Sequence, residues 1–125
     1  MAEIAAQIWK STGLSIERLD DEESRAVTFT MSGPLTARDM YCTLSPDAFY
    51  RLMESPLDSG EPRIQHINLS QVPYMDSSGL GMLVTHYVRC RNKGIQVTVT
   101  DVSPRVLELF RLSKVEALFQ PYSAA

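Results

Sequence analysis

Between residues 25 and 32 apolar and polar side chains alternate, with Val27, Phe29 and Met31 on one side and Thr28 and Thr30 on the other. A period of two predicts a half-buried β-strand. Leu14, Ile16 and Leu19 predict a shorter strand before it, and the acidic run Asp20-Asp21-Glu22-Glu23 reads as the solvated loop of a hairpin. Residues 1–13 carry little pattern and read as an N-terminal extension, either frayed or folded into a small helix. Gly33-Pro34 breaks the second strand, and residues 37–44 read as a loop.

Ser45-Pro46 predicts a helix start, the serine as N-cap and the proline in the first helical position. That helix runs to about Glu54 and buries Phe49, Leu52 and Met53. A strand follows over residues 63–69, then a loop through Pro73, then a long helix from near Ser77 to Gly94, a natural C-terminal stop. Ile95, Val97 and Val99 mark another alternating strand, and Ser103-Pro104 repeats the cap-plus-proline start before Val106, Leu107, Leu109, Phe110 and Leu112. Residues 117–121 suit a last short strand. After the hairpin, strands and helices alternate, which favours parallel strands joined by helical crossovers and gives an α/β fold. With no repeat and no linker, residues 14–121 form one domain.

Charge and composition narrow the function. The 125-residue chain has a formal net charge of −3 and no Lys/Arg cluster, which argues against nucleic acid as a partner. Cys42 and Cys90 show neither CxxC spacing nor a framework of pairs, so free thiols in a reducing cytoplasm fit best. Glu3 stands where a signal peptide would be basic, and no run approaches the ~18 apolar residues of a membrane span. The scattered histidines and cysteines lack metal-ligand spacing. No phosphate-binding loop of Walker type is present, and nothing calls for a cofactor.

The information is concentrated in Tyr74-Met75-Asp76-Ser77-Ser78-Gly79-Leu80-Gly81, where a loop turns into the long helix. Asp76 or Ser77 can cap that helix, because a side-chain oxygen there accepts an orphan backbone N–H. Leu80, Leu83, Val84, Tyr87 and Val88 follow the spacing of a core face. Ser78, Met82, Thr85 and Arg89 then fall on the opposite stripe, with Gly81 beside it. Two glycines in the first turns each cost about 1 kcal/mol relative to alanine, and they offer a smooth surface that another backbone can approach. An outward Met82 suits a contact surface, or else is a scattered surface hydrophobe.

Hydrolysis by a serine is disfavoured. His86 lies nine residues beyond Ser77 on one helix, about 900° around and about 13 Å along, and cannot act as its base. His66 sits within a strand and reads as a packed core histidine, and the Gly-x-Ser-x-Gly pattern is absent.

Ile67-Asn68-Leu69, Met75-Asp76-Ser77-Ser78-Gly79-Leu80-Gly81, Gly94, Val97, Val99 and Ser103-Pro104 with Val106, Leu109 and Phe110 resemble the STAS domains of bacterial anti-sigma factor antagonists. The resemblance implies an α/β fold with a mixed β-sheet, an opening β-hairpin and helical crossovers packed on the sheet. It implies no catalysis and no cofactor. The unphosphorylated protein would bind an anti-sigma factor serine kinase of histidine-kinase-like ATPase fold and free a sigma factor. Phosphorylation of Ser77 would end that binding, and a phosphatase acting on phosphorylated Ser77 would restore it. The contact surface would comprise Asp76, Ser77, Ser78, Gly81, Met82 and Thr85. The alternative is a STAS interaction module that is not phosphorylated, in a stress-signalling scaffold or as the soluble subunit of a lipid transporter. Phosphate on Ser77 would add about −1.5 to −2 charges, which a helix N-terminus tolerates and a packed partner would not.

Overall fold

A computed structural model of the chain describes residues 4–11, 13–41 and 46–119. Five strands form one sheet in the order β1-β2-β3-β4-β5, namely Ile4–Lys10, Ser15–Asp21, Ala26–Ser32, Ile64–Gln71 and Gln96–Thr100. The first three pair antiparallel, while β3 with β4 and β4 with β5 pair parallel, so the sheet is mixed. Helices α1 (Ala37–Tyr41) and α2 (Pro46–Glu54) connect β3 to β4, and α3 (Ser77–Asn92) connects β4 to β5. Helix α4 (Pro104–Leu112) and a 3-10 turn over Glu116–Phe119 follow.

The alternation of β3 is realised in full: Val27, Phe29 and Met31 are buried, and Thr28 and Thr30 are half-buried on the other face. The same parity puts Ile67 and Leu69 of β4 and Val97 and Val99 of β5 into one core with Phe49, Leu80, Leu83, Val106 and Phe110 from the helices. His66 takes the opposite parity. It lies half-buried on the outer face and hydrogen-bonds through Nδ1 to Thr98 Oγ1 at 2.6 Å, outside the core expected for it.

Local signals account for several boundaries. Ser103 Oγ accepts the Val106 N–H at 3.3 Å with Pro104 in the first turn, as the cap-plus-proline pattern predicts. Gly94 follows α3 with φ +80, the left-handed conformation that suits glycine after a helix. Phe49, Leu52 and Met53 of α2 are buried, while the proposed cap Ser45 lies outside the described residues.

Four elements differ from the sequence reading. Residues 4–10, read as a frayed extension or small helix, form β1, because Trp9 is buried edge-on against Phe49 with ring centroids 5.2 Å apart. Residues 37–41 form α1 where a loop was expected. Residues 116–119 form a 3-10 turn, not a strand, and Phe119 packs on Tyr87 and Phe110. Asp20 belongs to β2, not to a solvated loop: its carboxylate accepts from Nε of the buried Arg18 at 2.7 Å. Nη1 of Arg18 reaches the Leu52 carbonyl at 2.6 Å and Ser55 Oγ at 2.7 Å, tying the C-terminal end of α2 to the sheet.

Candidate functional site

The segment from Leu35 to Gly79 converges at the start of α3. Leu35 bridges Met75; its N–H donates to the Tyr74 carbonyl at 3.1 Å and its carbonyl accepts the Asp76 N–H at 3.3 Å. Of the two candidate caps, Asp76 is the one used. One carboxylate oxygen accepts the Gly79 N–H at 2.9 Å, and the other accepts the Ala37 N–H at 3.1 Å. A single side chain therefore satisfies orphan donors at the starts of both α3 and α1. Burial alone would raise its pKa, but the N–H groups of Gly79, Ala37 and Ser78 outweigh that and lower it.

With Asp76 as cap, Ser77 occupies the first position of α3 and is exposed. Ser78 is half-buried, and Gly81 and Thr85 are exposed. The two glycines of this turn have separate reasons. A Cβ on Gly79 would collide with the Leu35 carbonyl oxygen at 2.1 Å, so the fold itself requires glycine there. A Cβ on Gly81 would meet nothing within 4 Å. Among the described residues, none crowds that position, so the fold does not require glycine there.

Helix α3 is turned on its axis relative to the expected face. Its buried residues are Gly79, Leu80, Met82, Leu83, His86 and Cys90, whereas Val88 is 42% exposed. Met82, expected on an outward stripe, is 8% exposed and belongs to the core. Residues of α2 face that flank, which forms one wall of a groove. The groove, about 320 Å³, is lined by Phe49, Tyr50, Met53 and Glu54 of α2 and by Ser78, Gly81, Met82, Thr85, His86 and Arg89 of α3. Four of the six anticipated contact residues thus share one concavity, with Met82 buried along its lining. Asp76 and Ser77 lie outside that lining.

Sequence reasoning missed the α2 wall, since nothing local shows which helices become neighbours. Tyr50 is the residue that could have drawn notice: it is an aromatic next to the core position Phe49, and it is 42% exposed. Arg89 and Glu54 pair across the groove at 2.5 Å, with side chains 55% and 32% exposed. Solvent screens so exposed a pair, and it adds little to stability.

Behind the groove, His86 Nε2 faces Gln65 Oε1 at 2.5 Å and Cys90 Sγ at 3.5 Å. Burial pushes the His86 pKa down to about 4, so the ring is neutral at pH 7. Burial likewise raises the Cys90 thiol to about 11. His86 is committed to β4 on the buried side of the helix and does not serve Ser77. Among the described residues, no helix is long and apolar enough to cross a membrane.

A family model for the STAS domain matches residues 18–124. The fold is similar to that of an anti-sigma factor antagonist from Mycobacterium paratuberculosis, with TM-score 0.60 and 19% identity over 98% of this chain and 87% of that one. It is also similar to the anti-sigma factor antagonist SpoIIAA in its unphosphorylated form, with TM-score 0.58 and 17% identity over 97% and 89% of the two chains. A sulfate transporter family protein from Wolinella succinogenes gives TM-score 0.62 and 18% identity over 79% of this chain and 76% of that one. At such identities the likeness is one of fold.

Proposed function

This chain belongs to the STAS domain family, and on that premise we propose that it is an anti-sigma factor antagonist switched by phosphorylation of Ser77. In this reading the unphosphorylated form binds an anti-sigma factor serine kinase through the start of α3 and the adjoining groove, which releases a sigma factor. The observation that carries the reading is the division of labour between neighbours. Asp76 caps α3, which leaves the exposed Ser77 hydroxyl free of that duty.

A phosphate there brings about −1.5 to −2 charges to a helix N-terminus, where backbone N–H groups and the macrodipole favour anions. The domain keeps its fold. A partner packed over Ser77, Ser78 and the open surface of Gly81 would instead meet bulk and unpaired charge, so phosphorylation ends binding. The protein acts by binding, without turnover of its own. The test is intact mass after incubation with the cognate kinase and ATP: one phosphate on wild type and none on Ser77→Ala supports the switch, and an unmodified wild type refutes it.

The likeness to a sulfate transporter family protein favours a second reading, a STAS module held in a larger assembly such as a transporter or stress-signalling scaffold and never phosphorylated. Co-purification separates the two, since a histidine-kinase-like ATPase would support the switch and a permease or scaffold the module.

A further inference from the structure

Arg18 of β2 is fully buried, and the proposed switch makes no use of it. Its Nε–H donates to Asp20 Oδ1 at 2.7 Å, and Nη1 donates to the Leu52 carbonyl at 2.6 Å and to Ser55 Oγ at 2.7 Å. The guanidinium carbon lies 5.8 Å from the centre of the Phe29 ring. Nη2 has no hydrogen-bond partner among the described residues. Stability alone does not account for such a residue. Desolvating the two charges offsets much of their attraction, and a well-packed apolar pair of similar volume commonly serves as well or better. The unmet donor adds to the cost. What an apolar pair cannot supply is directed hydrogen bonds to a second element.

That element is the last turn of α2. The Arg51 carbonyl accepts the Ser55 N–H at 2.9 Å, whereas the Leu52 carbonyl is one that a helix end leaves without a helical partner. The Arg18 cation fills that role at the negative end of the helix. The same turn carries Met53 and Glu54 to the groove, and Phe49 and Tyr50 line it just before them. Among the described elements, the backbone of α2 runs nearest to β1 and α1, not to α3. Close packing of the two walls therefore does not set the width of the groove. The Glu54–Arg89 pair that spans it is exposed and weak. Trp9 against Phe49 anchors the helix at one point, and Arg18 anchors its C-terminal end. On the reading that the partner docks in this groove, we propose that Arg18 is the positioning residue of the site. It holds the α2 wall at the separation from α3 that the partner fits, without lining the groove itself.

The test pairs amide hydrogen exchange on the free chain with kinase affinity. Arg18→Met combined with Asp20→Leu removes the buried pair together and leaves no lone buried charge. Ser55→Ala takes one acceptor from Nη1 and changes a half-buried residue. In the double variant the amides of the last turn of α2 should exchange about tenfold faster, a local opening that leaves β3 and β4 unchanged. Kinase affinity should fall about tenfold, because the wall is no longer pre-organised, with the thermal transition kept. Ser55→Ala should move both readouts the same way by less, and it decides alone if the double variant does not fold. Tyr50→Ala, on the same wall, should combine with the double variant less than additively. Exchange raised evenly across the domain makes Arg18 a general structural residue and overturns the proposal. Exchange in α2 equal to wild type overturns it too, as does unchanged kinase affinity where wild type binds. Losses that add fully with Tyr50→Ala overturn the route through α2. A wild type that binds no kinase refutes the functional reading instead, and exchange on the free chain still decides whether Arg18 holds α2.

Discussion

Gly79 and Leu35 meet backbone to backbone: a Cβ on Gly79 would lie 2.1 Å from the Leu35 carbonyl oxygen and 3.0 Å from its carbon. That carbonyl also accepts the Asp76 N–H, so it cannot move without disturbing the start of α3. Gly79→Ala should therefore destabilise the domain by about 1–3 kcal/mol or more, the usual cost of overpacking. Gly81→Ala meets open space and should raise stability by up to about 1 kcal/mol through helix propensity, while reducing kinase affinity. Thermal unfolding of the two variants checks the contrast. Equal stability would mean that the Leu35 contact does not hold the site.

Met82 offers a similar contrast within one position. At 8% exposure it is part of the core, so Met82→Lys should unfold or severely destabilise the domain, an unpaired buried charge being among the costliest changes. Met82→Leu keeps volume and apolarity and should cost less than about 1.5 kcal/mol. Urea unfolding of both variants decides. A fully stable Met82→Lys would return this side chain to the outward face that periodicity alone assigns it.

That misplacement shows what the sequence could and could not reveal. The strands around Val27, Phe29, Val97 and Val99 and the capped start at Ser103 were legible because alternation and capping are local. The buried face of α3 is rotated by roughly a quarter turn from the apolar stripe, because His86 and Cys90 look polar yet are buried where Gln65 of β4 meets them. Helix α1 depends on the second carboxylate oxygen of Asp76, a tertiary contact that no pattern near Ala37 announces. Strand β1 depends in the same way on Phe49 covering Trp9. At the site, Ser77, Ser78, Gly81 and Thr85 were legible from the helix, whereas the α2 wall was not.

The burial of His86 has a consequence for pH. Its pKa falls from 6.5 to about 4, chiefly because burial disfavours the charged ring. Between those values the unfolded chain binds a proton that the folded chain does not, so stability rises with pH across that window and levels off above it. The full effect is on the order of 3 kcal/mol. Asp76 acts at lower pH: its pKa lies below the ordinary 3.8, so its contribution is complete above 3.8 and is lost as pH falls through the folded value. Unfolding midpoints measured against pH should show both. The double variant His86→Leu with Gln65→Met, which removes the buried pair together, should flatten the upper window. If the slope persists there, His86 is not its source.

The Ser77 variants separate a switch from a permanent module, and the capping geometry sharpens what each should do. Because Asp76 accepts the Gly79 N–H, Ser77→Ala removes no cap and should leave stability within about 0.5 kcal/mol, as for ordinary surface changes. It should bind the kinase as wild type does and accept no phosphate, so it behaves as constantly active. Ser77→Asp adds a negative charge in the first turn, which the helix dipole favours; it should fold as stably and bind the kinase poorly. Ser78→Ala changes a half-buried residue of the groove lining, so it should weaken binding modestly and still be phosphorylated on Ser77. Kinase binding and phosphate incorporation across the three, with thermal unfolding as the control, make the comparison. Phosphate on Ser78 with none on Ser77 would sink the site assignment. Equal, tight binding by Ser77→Ala and Ser77→Asp would show that charge at the start of α3 does not govern the partner, and the groove would then be the seat of a permanent contact.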